Sequence, residues 1–168
     1  NYEKYISKKF NIDFNHKYKS ILNWSIKNSE DFWSSVWDFC KIKGLKSSQK
    51  IKKSKIFYKN IFLPNSKLNF AENLLIKNNK TKVVTFISEN GFREERSWQQ
   101  LNNNVSKVIK FLKKLKIKKN DRVATYMPNS IETVEAFLAT SSIGAVWSSC
   151  SPDFGVNGVV ERFSQINP

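Results

Sequence analysis

At 168 residues, with 40% hydrophobic and 14% aromatic residues, the chain is long enough and apolar enough to fold around a real core. No apolar run reaches the roughly 18 residues that a membrane-spanning helix needs, so no membrane span is expected. The net charge of +15 invites a nucleic-acid reading, but only four of the 29 basic residues are Arg, the better phosphate fork. The Lys and Asn excess reads as a drift spread over the chain, and backbone binding needs charge gathered on one face. Residues 127–168 hold four acids (Glu132, Glu135, Asp153, Glu161) and one base, Arg162, so the positive excess lies elsewhere. No nucleic-acid partner is expected.

Residues 1–20 are polar with scattered aromatics (Tyr2, Tyr5, Phe10, Phe14, Tyr18), which predicts an extended or loosely helical lead-in. Ser29, with Glu30 and Asp31 in the first turn, opens a helix. Phe32, Trp33, Val36, Trp37 and Cys40 follow at helical spacing, and Gly44 is expected to end it. Residues 41–59 carry eight Lys and no acid and read as a solvated linker. Ile61-Phe62-Leu63-Pro64 restores packing, and 68–75 reads as a short helix. A domain boundary is expected near 76–81, dividing a mainly helical cap (1–78) from an α/β segment (79–168).

Val83 to Ser88 predicts a strand, Asn90-Gly91 a turn, and Phe92 to Arg96 the second arm of a hairpin. Ser97 and Gln100 make a capping box for a long amphipathic helix. Its buried face is Trp98, Leu101, Val105, Val108, Ile109, Leu112 and Leu115, and its outer face is lysine-rich. Arg122 to Met127 is then a strand, and Asn129 or Ser130 caps a helix with Glu132 and Glu135 near its positive end. Gly144 closes that helix, and Ala145 to Ser149 is a second strand. The two strands and their helix form one β-α-β unit with parallel strands and a right-handed crossover. A last helix starts near Asn157. The order α-β-α-β-α after the hairpin predicts an α/β fold with a mostly parallel sheet flanked by helices.

In open α/β sheets ligands sit beyond the carboxyl ends of strands. Two ends qualify, Met127-Pro128-Asn129 and Ser148 to Gly155, and the second is richer. It offers Trp147 for stacking, hydroxyls at Ser148, Ser149 and Ser151, a carboxylate at Asp153, and a helix start that attracts anions. Equally, Trp147 can be core and Asp153 a simple helix cap. No phosphate-loop or dinucleotide glycine pattern occurs. Cys40 and Cys150 are far apart and His16 stands alone, so neither a zinc site nor a Ser-His-Asp triad is supported. Both thiols are expected to be buried and reduced, as in a cytosolic protein.

Four stretches carry a resemblance: L-N-W-S-I with E-D-F-W-S-S-V-W-D-F, L-P-N-S-K-L-N-F-A-E-N-L-L, the block from Asp121 to Ala145, and W-S-S-C-S-P-D-F-G at 147–155. From about Ile21 to Pro168 the chain resembles the N-terminal portion of the acetoacetyl-CoA synthetase family, acetoacetate–CoA ligases of the acyl-adenylate-forming superfamily. The last motif is the most discriminating, and the third is shared across the superfamily. Asn65 stands where the family favours Gly. The resemblance implies a cytoplasmic enzyme that joins ATP and acetoacetate into acetoacetyl-AMP and pyrophosphate, after which the CoA thiol displaces AMP. Bringing two anions together calls for Mg²⁺, Lys and backbone amides to screen charge. The family's phosphate loop, its ribose-binding Asp and its catalytic Lys have no counterpart in residues 1–168, so the chain is expected to be an N-terminal fragment, inactive alone, that works with the remainder of its own chain. The resemblance places Trp147, Ser148, Ser149, Cys150, Ser151, Asp153, Phe154 and Gly155 near the CoA or acyl pocket; it assigns no catalytic and no metal-binding residue. A chain cut at Pro168 would also leave the sheet edge beside residues 145–149 open to aggregation.

Overall fold

The computed structural model describes residues 1–168, the side chain of Phe57 excepted. The chain divides into two compact units, Asn1–Leu68 and Asn69–Pro168.

In the first unit, helices α1 (Tyr2–Phe10), α2 (Tyr18–Lys27) and α3 (Ser29–Phe39) surround the buried Ile6, Phe14 and Trp24. The lead-in is therefore helical rather than extended. The Asn1 side chain caps α1 by accepting from the Glu3 N–H, and Asn11 ends it in the left-handed conformation. Tyr2, Ile6 and Phe10 recur every four residues, and Tyr5 follows Tyr2 by three, so they share one broad face. Their partner Trp24 contacts Phe10 and Phe14 at ring separations of 5.0 and 5.6 Å.

Helix α3 presents aromatic rings on two faces. Phe32 and Phe39 turn towards Tyr2, at 6.2 and 5.1 Å, on either side of the buried Ser35. Ser35 shares a hydrogen bond of 2.8 Å with the Tyr2 hydroxyl and donates to the Phe32 carbonyl. On the other face Trp33, Val36 and Trp37 line an apolar groove of about 230 Å³. The helix stops at Phe39, before Gly44, and Cys40 is exposed rather than buried. Gly44 instead begins β1 (Gly44–Leu45), antiparallel to β4 (Lys67–Leu68). Its φ is +152°, and a side chain there would collide with the Lys67 carbonyl, which is why glycine stands at this position.

Residues 41–59 are not a free linker. β2 (Ile51–Lys52) pairs antiparallel with β3 (Ile61–Phe62). Lys46, Lys50 and Lys53 reach Asp38, Asp31 and Glu30 of α3 at 2.6, 2.6 and 2.7 Å. The acids that answer this lysine run lie on the preceding helix, out of sight of a local charge count.

The second unit opens with α4 (Phe70–Leu74), capped by Asn69, and the antiparallel hairpin β5 (Lys82–Ile87) and β6 (Arg93–Ser97). Helix α5 (Trp98–Lys114) follows with the full capping box between Ser97 and Gln100. Leu101, Val105 and Leu112 are buried on its inner face, while Leu115, just past its end, is exposed. Strand β7 (Arg122–Tyr126), helix α6 (Ile131–Ser142) and strand β8 (Val146–Cys150) form the β-α-β unit, with β7 and β8 parallel. Helix α7 (Val156–Ile166) packs against β7.

Helix α6 is the centre of this unit. It packs against α4, α5, β5 and β8, and its Leu138 and Ala139 join Ala71, Leu101, Val105 and Leu112 in the core. At its end the Gly144 N–H donates to Ser141 and the Ala145 N–H to Thr140, with Gly144 at φ +74°. These two bonds stop the helix and start β8. The architecture is α/β. Strand pairing is confined to two-stranded sheets, and of these β7–β8 is the parallel one.

Candidate functional site

The register between β7 and β8 runs from Arg122 opposite Val146 to Tyr126 opposite Cys150. The two carboxyl ends therefore finish level. Beyond β7, Pro128 breaks the strand, Ser130 caps α6 by accepting from the Thr133 N–H, and the Thr133 hydroxyl donates to the Pro128 carbonyl at 2.6 Å. Beyond β8, Ser151-Pro152-Asp153-Phe154 forms a turn closed by the Phe154 N–H donating to the Ser151 carbonyl at 3.1 Å. Serine first and proline second suit such a turn.

That turn is tied down from three directions. The Ser151 hydroxyl donates to the Asp153 carboxylate at 2.6 Å. The Tyr126 hydroxyl lies 2.8 Å from the Pro152 carbonyl and 3.1 Å from the Phe154 carbonyl, so its one proton is shared between them. The Arg162 guanidinium sits 4.0 Å from the centre of the Phe154 ring and donates to the Gly158 carbonyl. Arg162 stands one helical turn past Gly158, which brings it back over the start of α7.

The eight residues singled out from the sequence fall into two groups. Trp147 is half-buried and packs edge-on to Phe137 of α6 at 6.2 Å. Alternation along β8 turns Ser148 and Cys150 to the opposite face, with Cys150 buried, while Ser149 shares the Trp147 face and is exposed. Only Ser151, Asp153, Phe154 and Gly155 gather in the turn, and the last three are exposed. Asp153 does not cap α7: the N-cap is Gly155, with no side-chain cap bond. Sequence reasoning missed Tyr126 and Arg162. The signal for Tyr126 was the register, since a tyrosine ending one parallel strand lies beside the first residues after its neighbour, and that for Arg162 was its spacing of four from Gly158.

The other strand end carries a cleft. Asn129, Ser130, Ile131 and Val134 face β5 residues 84–87 across about 260 Å³. The sequence favoured the second end on side-chain chemistry, whereas this opening lies at the first.

Beside it lies a charged network. Arg96 donates to Glu135 through Nε at 3.2 Å, and pairs with Glu94 at 2.5 Å and Glu132 at 3.3 Å. Asn104 adds a 2.8 Å bond to Glu135. Glu135 is buried, so its place near the start of α6 does more than complement the helix dipole. The Glu94 carboxylate, followed by Glu135, raises the Arg96 guanidinium above its ordinary value. Among the described residues no group of three His, Cys, Asp or Glu could hold a metal ion, and these carboxylates converge on Arg96 instead. Glu94, Glu132 and Glu135 are thus engaged by a guanidinium in this unit. No helix among the described residues is long and apolar enough to cross a membrane.

Residues 72–167 match the family described as AMP-binding enzyme. The acetoacetyl-coenzyme A synthetase of Rhizobium meliloti is 40% identical over 151 residues, which is 90% of this chain and 23% of that protein. The acetoacetyl-CoA synthetase of Xenopus tropicalis is 42% identical over 155 residues, again 90% of this chain and 23% of the relative. Among solved structures, acetoacetyl-CoA synthetase from Streptomyces lividans superposes with a TM-score of 0.91 at 25% identity, over 99% of this chain and 26% of that one. The chain thus spans about a quarter of the length of the relatives it matches. The β-α-β unit, its level strand ends and the match over residues 72–167 together lead to one conclusion: the chain belongs to the AMP-binding enzyme family.

Proposed function

We propose that the chain is the N-terminal part of an ATP-dependent acetoacetate–CoA ligase acting in the cytoplasm. The observation that carries this reading is that both sequence relatives and the solved structure, matched over nine-tenths or more of this chain, bear that activity in their names. In the reaction, an acetoacetate carboxylate oxygen attacks the α-phosphorus of ATP and pyrophosphate leaves. The CoA sulfur then attacks the acyl carbon and AMP leaves. Residues 1–78 would serve as the cap and 79–168 as the first part of the adenylating domain. ATP, CoA and Mg²⁺ would be bound largely by residues outside this chain, whose sequence carries no phosphate-loop glycine pattern. The turn 151–155 would face the CoA or acyl pocket.

The test uses the complete protein that carries this chain. Pyrophosphate release is compared across acetoacetate, acetate, propionate and butyrate. Acetoacetate is expected to give the highest kcat/KM by at least about tenfold, the discrimination that a polar contact to the extra carbonyl can supply. Equal or better turnover of another acid reassigns the protein to a different short-chain acyl-CoA synthetase. The chain of residues 1–168 on its own is expected to release no pyrophosphate.

A further inference from the structure

We propose that the outer edge of β7 is a docking site for this protein's own chain: the segment that follows Pro168 adds to it as a third, parallel strand. This rests on the chain being the N-terminal part of a longer protein, as the length of its relatives indicates. The register shows which backbone groups are available. The Val146 N–H donates to the Asp121 carbonyl and the Met127 N–H to the Cys150 carbonyl, so the odd-numbered residues of β7 aim their backbone groups at β8. Those of Arg122, Ala124 and Tyr126 point the other way, and no described hydrogen bond engages them. Such an edge is a ready template for another strand.

Three features aim the following segment at that edge. The first is handedness. Tyr126 shares with Cys150 the face turned away from Trp147 and α6. Its hydroxyl bonds the Pro152 and Phe154 carbonyls just before α7, so α7 starts on that face, and it packs against β7. A right-handed crossover with its helix on the α6 face leads from β7 to β8, so one with its helix on the opposite face leads back past β7. The second is where α7 stops. Asn167 closes it in the left-handed conformation, and Pro168 cannot continue it. Pro168 lines a groove of about 440 Å³ with Arg122, Val123 and Ala124, the first residues of β7, so the chain leaves α7 level with the start of that strand. The third is the groove's apolar wall of Phe111, Leu115 and Ile117, of which Phe111 and Leu115 are more than half exposed. The edge beside residues 145–149 is therefore not the one that the next segment covers. A parallel strand covered on both faces reads as a nearly continuous apolar run. Such a run, about as long as the five residues of β7, is expected to begin within about two to six residues of Pro168.

The experiment is amide hydrogen exchange in the complete protein, resolved to single residues of β7. Val123 and Thr125, whose register aims them at β8, are the reference for an intact sheet. Ala124 and Tyr126 are expected to exchange about a hundredfold or more slowly than an open edge, at a rate that dilution does not change. Proline in place of the central residue of the apolar run should return both to fast exchange while Val123 and Thr125 stay slow. If the proline variant unfolds, seen as fast exchange at Val123 and Thr125 as well, glycine at the same position takes its place, since it weakens a strand without removing a donor. Fast exchange at Ala124 and Tyr126 in the unsubstituted protein would overturn the proposal. So would protection lost on dilution, which assigns the edge to a second copy, and protection that survives the substitution, which assigns it to another segment. None of these readouts involves ATP, acetoacetate or CoA, so a failed substrate test leaves the docked strand standing, and a failed exchange test leaves the ligase reading standing.

Discussion

Residues 1–68 fold around Ile6, Phe14 and Trp24, ringed by Tyr2, Tyr5, Phe10 and Phe32, while residues 69–168 fold around Ala71, Leu101, Val105, Leu112, Leu138 and Ala139. The first core is made of a few large rings meeting at tilted and edge-on angles. The second is made of aliphatic residues, five of the six on the long helices α5 and α6 and Ala71 on the short α4. The backbones differ accordingly. Six of the nine non-glycine residues with positive φ among those described lie in the first unit (Asn11, Asn15, His16, Lys41, Leu63, Asn65), and its strands are two residues long. Large rings bury much area per residue and so tolerate an irregular frame. Aliphatic side chains need the regular spacing of helix and strand to reach one another.

Three measurements would sharpen or break this contrast. The largest effect is expected from Trp24→Ala, since the ring touches Phe10, Phe14 and Phe32. Urea denaturation followed by circular dichroism should show a loss of about 3–5 kcal/mol. A loss near 1 kcal/mol would mean that the ring cluster is not the core of its unit.

Next is Arg96→Ala, which leaves the buried Glu135 carboxylate with only Asn104 among its described partners. The cost should be about 3 kcal/mol, and the double change Arg96→Met with Glu135→Leu should recover most of it, because an apolar pair avoids the uncompensated charge. If the double variant is as unstable as the single one, the ion network does more than balance itself.

The smallest effect concerns pH. Lys46, then Lys9, holds the Asp38 carboxyl below its ordinary value. Its contribution is therefore full above the unfolded carboxyl value of about 3.9 and is lost as pH falls through the lowered native value. The pairs are partly exposed, so the contribution should stay below about 1 kcal/mol. Denaturation midpoints measured from neutral to acid pH should fall less steeply for Asp38→Asn than for the unsubstituted chain.

The same contrast explains what could be read from the sequence. The β-α-β unit was legible because its signals are local. Pro128 ends the strand, Ser130 caps the helix, Gly144 closes it, and the period of the apolar residues changes at each boundary. The capping box at Ser97 and the Asn90-Gly91 turn were legible for the same reason. Helix α1 was legible only as one of two alternatives, extended or loosely helical, because its apolar face is completed by Trp24 on another helix. The lysine run at 41–59 looked solvated because Asp31 and Asp38 precede it on α3. Glu135 was read through its own helix, while its partner Arg96 lies 39 positions away on β6. At the candidate site, the turn chemistry of Ser151 and Asp153 was visible. The separation of Trp147 from Cys150 by the strand's pleat could have been inferred, but the hold of Tyr126 needed the register.

The two thiols give the molecule a built-in clock. Cys40 is exposed and Cys150 is 4% exposed at the end of β8. A thiol-selective reagent should label Cys40 at once and reach Cys150 only when the strand end opens, a local event rarer than fluctuations of the surface. The slow labelling rate of Cys150 then times the opening of the very end on which the 151–155 turn is built, with no substitution and no ligand.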